Sequence, residues 1–165
     1  VKRRFLGEKL VSNRFWLAAL LLAVRAPLAL GDPAAPERAY LDHPPAPNGP
    51  ALPFSDAVRS GNTLYVAGHL GIDPHTGNAA ADPATEARLV MDAVKHTLER
   101  AGYTMDDLAS VTVYCTDLAL YDTFNTVYAG YFHGHPPARA FIGVAKLVRG
   151  ARFEVQGTAV RSAPS

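Results

Sequence analysis

Between Asp82 and Gly102 the chain carries both ends of a single helix, and that helix constrains everything around it. Asp82 is an N-cap residue, Pro83 takes the first helical position, and Gly102 supplies the left-handed C′ residue. Ala87, Val90, Met91, Val94, Leu98 and Ala101 recur at helical spacing between them. A stripe of this kind must be buried against another layer. The flanking sequence offers one. Asn62-Thr63-Leu64-Tyr65-Val66-Ala67-Gly68 reads as a strand after the turn at Ser60-Gly61, and Ala109 to Thr116 reads as another. Asp73-Pro74-His75-Thr76-Gly77-Asn78 is a turn-rich loop without the calcium-loop pattern.

A second helix is expected over Tyr121 to Phe132, where Phe124, Val127, Tyr128 and Tyr131 share a face and read as core. Apolar strands over Arg139 to Leu147 and Arg152 to Val160 close the chain around Arg149-Gly150. The order is strand or hairpin, helix, strand, helix, two strands. It predicts the α+β class, with one mixed sheet covered on one face by two helices. If the other face carries Leu64, Val66, Val113 or their alternates, it is too apolar for water, and an oligomer is expected. With 165 residues, 48% of them hydrophobic, the chain can bury one ordinary core. Its single cysteine, Cys115, shares a strand face with Val111 and Val113 and reads as a small core residue.

The formal charge of +1 divides unevenly, with +5 over residues 1–31 and −4 over 32–165. Residues 1–31 follow the pattern of a signal peptide: basic residues, the apolar run Phe15 to Val24, then Ala29-Leu30-Gly31 at the cleavage positions. The run is short for a bilayer span and Arg25 interrupts it, so no stable membrane insertion is expected after cleavage. A functional signal places the mature protein in the periplasm or outside the cell; otherwise it is cytoplasmic. Residues 32–53 hold seven prolines and read as an extended segment. Residues 54–161 form the domain and 162–165 a tail. The mild acidity of the domain argues against a non-specific nucleic-acid binder, which needs a basic stripe.

The residue that points to function is Arg139. The diproline Pro136-Pro137 delivers it to the start of an apolar strand, where a permanently charged planar fork needs an anionic partner from the protein or from a ligand. From about Arg38 to Val160 the sequence resembles the RidA (YjgF/YER057c/UK114-type) family of imine and enamine deaminases. The landmarks are Pro53-Phe54-Ser55-Asp56-Ala57-Val58, Leu64-Tyr65-Val66-Ala67-Gly68-His69 and Asp73-Pro74-x-Thr76-Gly77. Asn125-x-x-Tyr128-x-x-Tyr131-Phe132, Pro136-Pro137-Ala138-Arg139 and Arg152-Phe153-Glu154-Val155 complete them.

The resemblance implies a chorismate-mutase-like homotrimer with sites at subunit interfaces. It also implies hydrolysis of 2-iminopropanoate or 2-iminobutanoate to the 2-keto acid and ammonia, with no metal or organic cofactor. Arg139 matches the family arginine that holds the substrate carboxylate, a task suited to a bidentate fork. Glu154 matches the glutamate that activates water. Backbone groups around Gly68 and Phe141 would contact the substrate, and Asn125 matches a position near the site. Phe54 stands where tyrosine is frequent, His69 where glutamine is common, and Phe141 where a smaller residue is usual. These departures bear on the substrate, and a trimer that binds small carboxylates without turnover, or acts on a different imine, is the alternative. A holdase-like or ribonuclease role is disfavoured by the acidic domain. His133-Gly134-His135 offers two metal ligands but no third, so no metal is expected. If the last two strands pair as a hairpin about Arg149-Gly150, Glu154 lies about 20 Å from Arg139. The two would then meet only across subunits.

Overall fold

The strands are β1 (Arg38–Leu41), β2 (Ala57–Ser60), β3 (Thr63–Leu70), β4 (Leu108–Cys115), β5 (Ala138–Gly143) and β6 (Phe153–Val160); the helices are α1 (Pro83–Arg100) and α2 (Tyr121–Tyr128). They form one six-stranded sheet of order β1-β2-β3-β6-β4-β5. The computed structural model describes residues 37–43 and 52–161. The signal-like segment 1–31, most of segment 32–53 and the tail 162–165 lie outside these residues.

The first helix has the expected ends. The Asp82 carboxylate accepts the Thr85 N–H at 2.8 Å, and Gly102 adopts φ 78° just past the last turn. Ala87, Val90, Met91, Val94 and Leu98 are buried on the sheet. Each large apolar side chain removed from water there stabilises the fold by roughly 1.5–3 kcal/mol. The second helix is shorter than its periodicity suggested. Regular helix stops at Tyr128, and a 3-10 turn over Ala129–Tyr131 follows. That turn carries the Tyr131 hydroxyl to α1, where it donates to Asp92 Oδ1 at 2.7 Å.

Topology explains why both helices share a face. β3 and β4 are each antiparallel to β6 and so run parallel to one another, and β5 is parallel to β4. The crossovers β3-α1-β4 and β4-α2-β5 both step the same way along the sheet. Right-handedness of such connections then places both helices on one side. The last strand enters antiparallel between β3 and β4 and satisfies an open edge of each.

That insertion corrects one expectation. β5 and β6 are not a hairpin, because β4 lies between them. The turn is real, with Arg149 at φ 56° and Gly150 at φ 67°, but it carries the chain past the end of β4 instead of back along β5. β5 also ends at Gly143 and not at Leu147. Val144 N–H makes the last bond, to Cys115 O, and β4 stops there. An edge strand with no further partner cannot continue. At the other edge, Arg38–Leu41 is a strand paired with β2 inside the segment read as merely extended.

The uncovered face is also different from the apolar one considered above. Leu64, Val66 and Val113 are buried on the helix side, while Tyr65, Thr112, Tyr114, Glu154, Gln156 and Thr158 occupy the other. The same face also exposes Ile142 and Val160, so it is mixed and not uniformly apolar. Among the described residues no helix is long and apolar enough to cross a membrane.

Candidate active site

Arg139 lies on β5 level with Val111 of β4, on the helix side of the sheet. α2 passes over it and presents Tyr121, Asn125 and Tyr128, which helical spacing puts on one stripe. The guanidinium carbon is 4.5 Å from the Tyr128 ring centre, 5.7 Å from Phe141 and 5.8 Å from Tyr121. One Nη2–H is donated to Asn125 Oδ1 at 2.7 Å. Among the described residues no carboxylate lies within ion-pairing distance of Arg139. The internal ion pair that would explain a strand-start arginine is thus absent among them. Ring faces and an amide oxygen stabilise the cation while leaving most of its N–H donors uncommitted.

Tyr121 and Tyr128 belong to this arrangement, although the sequence reading placed Tyr128 in the core and gave Tyr121 no role. The spacing of Tyr121, Asn125 and Tyr128 is the signal that could have found them. Tyr128 is buried, and burial raises its phenol to about 12 against the opposing pull of the Arg139 charge. Its hydroxyl has no hydrogen-bond partner among the described residues. A buried unpaired hydroxyl costs about 1–3 kcal/mol. Tyr128→Phe is therefore expected to raise the melting temperature of the isolated subunit, checked by thermal denaturation. A lowered value would reveal a partner for the hydroxyl.

Glu154 stands elsewhere. It is level with Tyr114 of β4 and Leu70 of β3, on the uncovered face. Its carboxylate lies against Gly68, where a Cβ would overlap it, so glycine at 68 makes room for the acid. Arg139 is two strands away and three residues along, about 14 Å between backbones at ordinary sheet spacings. The two side chains also point to opposite faces. The structure thus makes two groups within one chain: Arg139 with Asn125 and Phe141, and Glu154 with Gly68.

His69 and Phe54 join neither group. After the bulge between Val66 and His69, His69 pairs with Val155 and so faces the helix side. Burial lowers its pKa; the Asp56 charge opposes that shift, and His43 and Arg100 add to it. Phe54 is 56% exposed in the bend before β2. Because the folded pKa of His69 lies below the ordinary histidine value, the unfolded chain binds the proton more readily. Its contribution to stability is present above the unfolded pKa and is lost as pH falls through the folded one. His69→Gln is expected to flatten that part of the acid limb in a stability-versus-pH series. Cys115 is fully buried and donates to Asp117 O at 3.0 Å, and burial pushes its thiol pKa up, so it is poorly suited to act as a nucleophile.

Two buried charges were not foreseen from the sequence. Asp56 accepts from Arg100 at 2.7 Å and from Thr97 at 3.2 Å. Glu86 binds Arg152 through Oε2 and Nε at 2.8 Å. Glu86 sits one residue before Ala87 and four before Val90, so a charge within the apolar stripe was the available sign.

Known proteins are similar to this chain over most of its length. The family model described as "Endoribonuclease L-PSP" matches residues 45–161. A "RutC family protein" of Sulfurisphaera tokodaii is 37% identical over 120 residues, covering 72% of this chain and 94% of that protein. The "2-iminobutanoate/2-iminopropanoate deaminase" of Escherichia coli is 35% identical over 119 residues, covering 69% and 93%. The crystal structure of E. coli TdcF with bound serine aligns with a TM-score of 0.68 at 30% identity, covering 75% of this chain and 100% of that one.

Proposed function

The chain belongs to the endoribonuclease L-PSP family, the RidA/YjgF proteins, and from this we propose that it hydrolyses reactive 2-imino acids to 2-keto acids and ammonia. The observation that carries the reading is the half-buried Arg139 cation, framed by rings and Asn125, with no carboxylate partner among the described residues. A planar substrate carboxylate fits its remaining donors. The serine bound by E. coli TdcF carries the same kind of group. Glu154 takes a proton from water as the oxygen bonds to the imine carbon, and the C=N electron pair moves to nitrogen, which is protonated. Collapse of the resulting carbinolamine restores C=O, breaks the C–N bond and releases ammonia.

Opposite faces and a separation of about 14 Å keep Arg139 and Glu154 of one chain from sharing a three- or four-carbon substrate. The working site therefore joins Arg139 of one subunit to Glu154 of a neighbour, in a homotrimer. The test is ketoacid release from 2-iminopropanoate generated by an amino-acid oxidase, which the protein should accelerate. Phe141 favours a second reading. It packs edge-on against Tyr121 at 5.0 Å and Phe124 at 5.6 Å, filling space beside the guanidinium. Binding of 2-ketobutyrate without imine hydrolysis would select a carboxylate-binding trimer instead. Export rests on the signal-like segment 1–31, and mass spectrometry of the mature N-terminus tests it: a terminus at Asp32 supports cleavage, and an intact segment refutes it.

A further inference from the structure

Glu86 lies in the first turn of α1, on the apolar side of the helix, and is 0% exposed. Its Oε1 accepts the backbone N–H of Arg152 at 2.6 Å and of Phe153 at 3.0 Å, and its Oε2 accepts Arg152 Nε–H at 2.8 Å. The Arg152 guanidinium also donates to the carbonyls of Ala80 and Ala81. One carboxylate thus holds the backbone of the two residues that immediately precede Glu154. β3 does not hold them: its last pair with β6 is Leu70 with Glu154, and beyond it the chain turns, with Ile72 N–H bonded to Leu70 O. On the other side β4 still pairs Cys115 with Phe153, and Thr116 N–H is donated to Arg152 O, so the carboxylate supplies acceptors on the side where the β3 ladder stops. Gly71 permits this approach, since a Cβ there would overlap the backbone carbonyl of Glu86.

We propose that Glu86 is the positioning residue for Glu154, setting through the N–H groups of Arg152 and Phe153 the point at which β6 begins and the seat of the Glu154 carboxylate on Gly68. The inference rests on the reading of Glu154 as the group that activates water. Glu86 reaches the chemistry only through the backbone, and the Arg139 group lies on another strand beyond β4. A purely structural Glu86 would alter the folded fraction and every activity in step. A positioning Glu86 alters turnover while carboxylate binding at Arg139 is unchanged.

The experiment compares Glu86→Asp and Glu86→Gln in the full chain, because alanine removes all three hydrogen bonds at once. Aspartate keeps the charge but withdraws the acceptor by one methylene, whereas glutamine keeps the reach and an acceptor for the two N–H groups. Glu86→Asp should lower kcat for 2-iminopropanoate on the order of 10²-fold, the scale of a misplacement of about 1 Å. Its Kd for 2-ketobutyrate should stay within about two-fold of wild type under conditions where circular dichroism reports a folded protein, and Glu86→Gln should recover most of kcat. An active wild type with unchanged kcat in Glu86→Asp overturns this inference alone. So does joint loss of turnover and ketoacid binding. A wild type without imine hydrolysis overturns the proposed function, and this inference with it.

Discussion

Glu154→Gln is expected to reduce kcat for imine hydrolysis by about 10²–10⁴-fold, the usual contribution of a positioned base, with 2-ketobutyrate binding unchanged. The amide keeps the shape over Gly68 and cannot take the proton from water. Arg139→Ala should behave differently. It removes the carboxylate fork, so binding of substrate and of 2-ketobutyrate weakens by about 10–10²-fold, as expected for loss of charge-assisted hydrogen bonds. The pair of variants also tests the shared site. In mixed preparations of Arg139→Ala and Glu154→Gln subunits, each with one intact half, the proposed trimer would bring a native arginine to a native glutamate at some interfaces. With random mixing about a quarter of the sites are restored, following from the cyclic symmetry. Steady-state kinetics of co-expressed and separately purified variants measures this. No recovery in the mixed preparation places both residues in one chain and rejects the interface.

Glu86→Ala is expected to lower stability by about 3–5 kcal/mol, because it strands a partly buried guanidinium and two backbone N–H groups together. For a domain whose total stability is roughly 5–15 kcal/mol this is a large share, and the melting temperature should fall on the order of 15 °C. Replacing both charges, as in Glu86→Gln with Arg152→Met, should cost much less. Calorimetry of the two variants separates these cases. Equal losses would mean that the ion pair, and not the acceptor for the β6 entry, accounts for the stabilisation.

Much of the architecture could be read from local pattern. The Asp82 cap, the apolar stripe and Gly102 are signals within one segment, and they predicted α1 nearly to the residue. Cys115 shared the face of Val111 and Val113 because alternation along a strand is also local. The hairpin failed for the opposite reason. Nothing near Arg149-Gly150 states that β6 must cross the end of β4, since the pairing is chosen by two open strand edges formed far away in the chain. The edge strand Arg38–Leu41 was missed because four residues among prolines give no periodicity. In the Arg139 group, Asn125 was found through family resemblance. Tyr128 read as ordinary core and Tyr121 only as the start of the helix, since a ring beneath a guanidinium and a ring in a core have the same spacing.

Residue type and spacing alone determined the α+β class, the two helices, and the presence of an arginine needing an anion, because helical and strand periods and side-chain chemistry act over a few residues. Only the tertiary structure decided what surrounds that arginine and where Glu154 stands. The insertion of β6 between β3 and β4 puts the acid on the uncovered face and Arg139 on the helix face, and strand order and register follow from the competition of all edges for partners. The same competition leaves the start of β6 without a strand on one side, and the buried carboxylate of Glu86 takes that place.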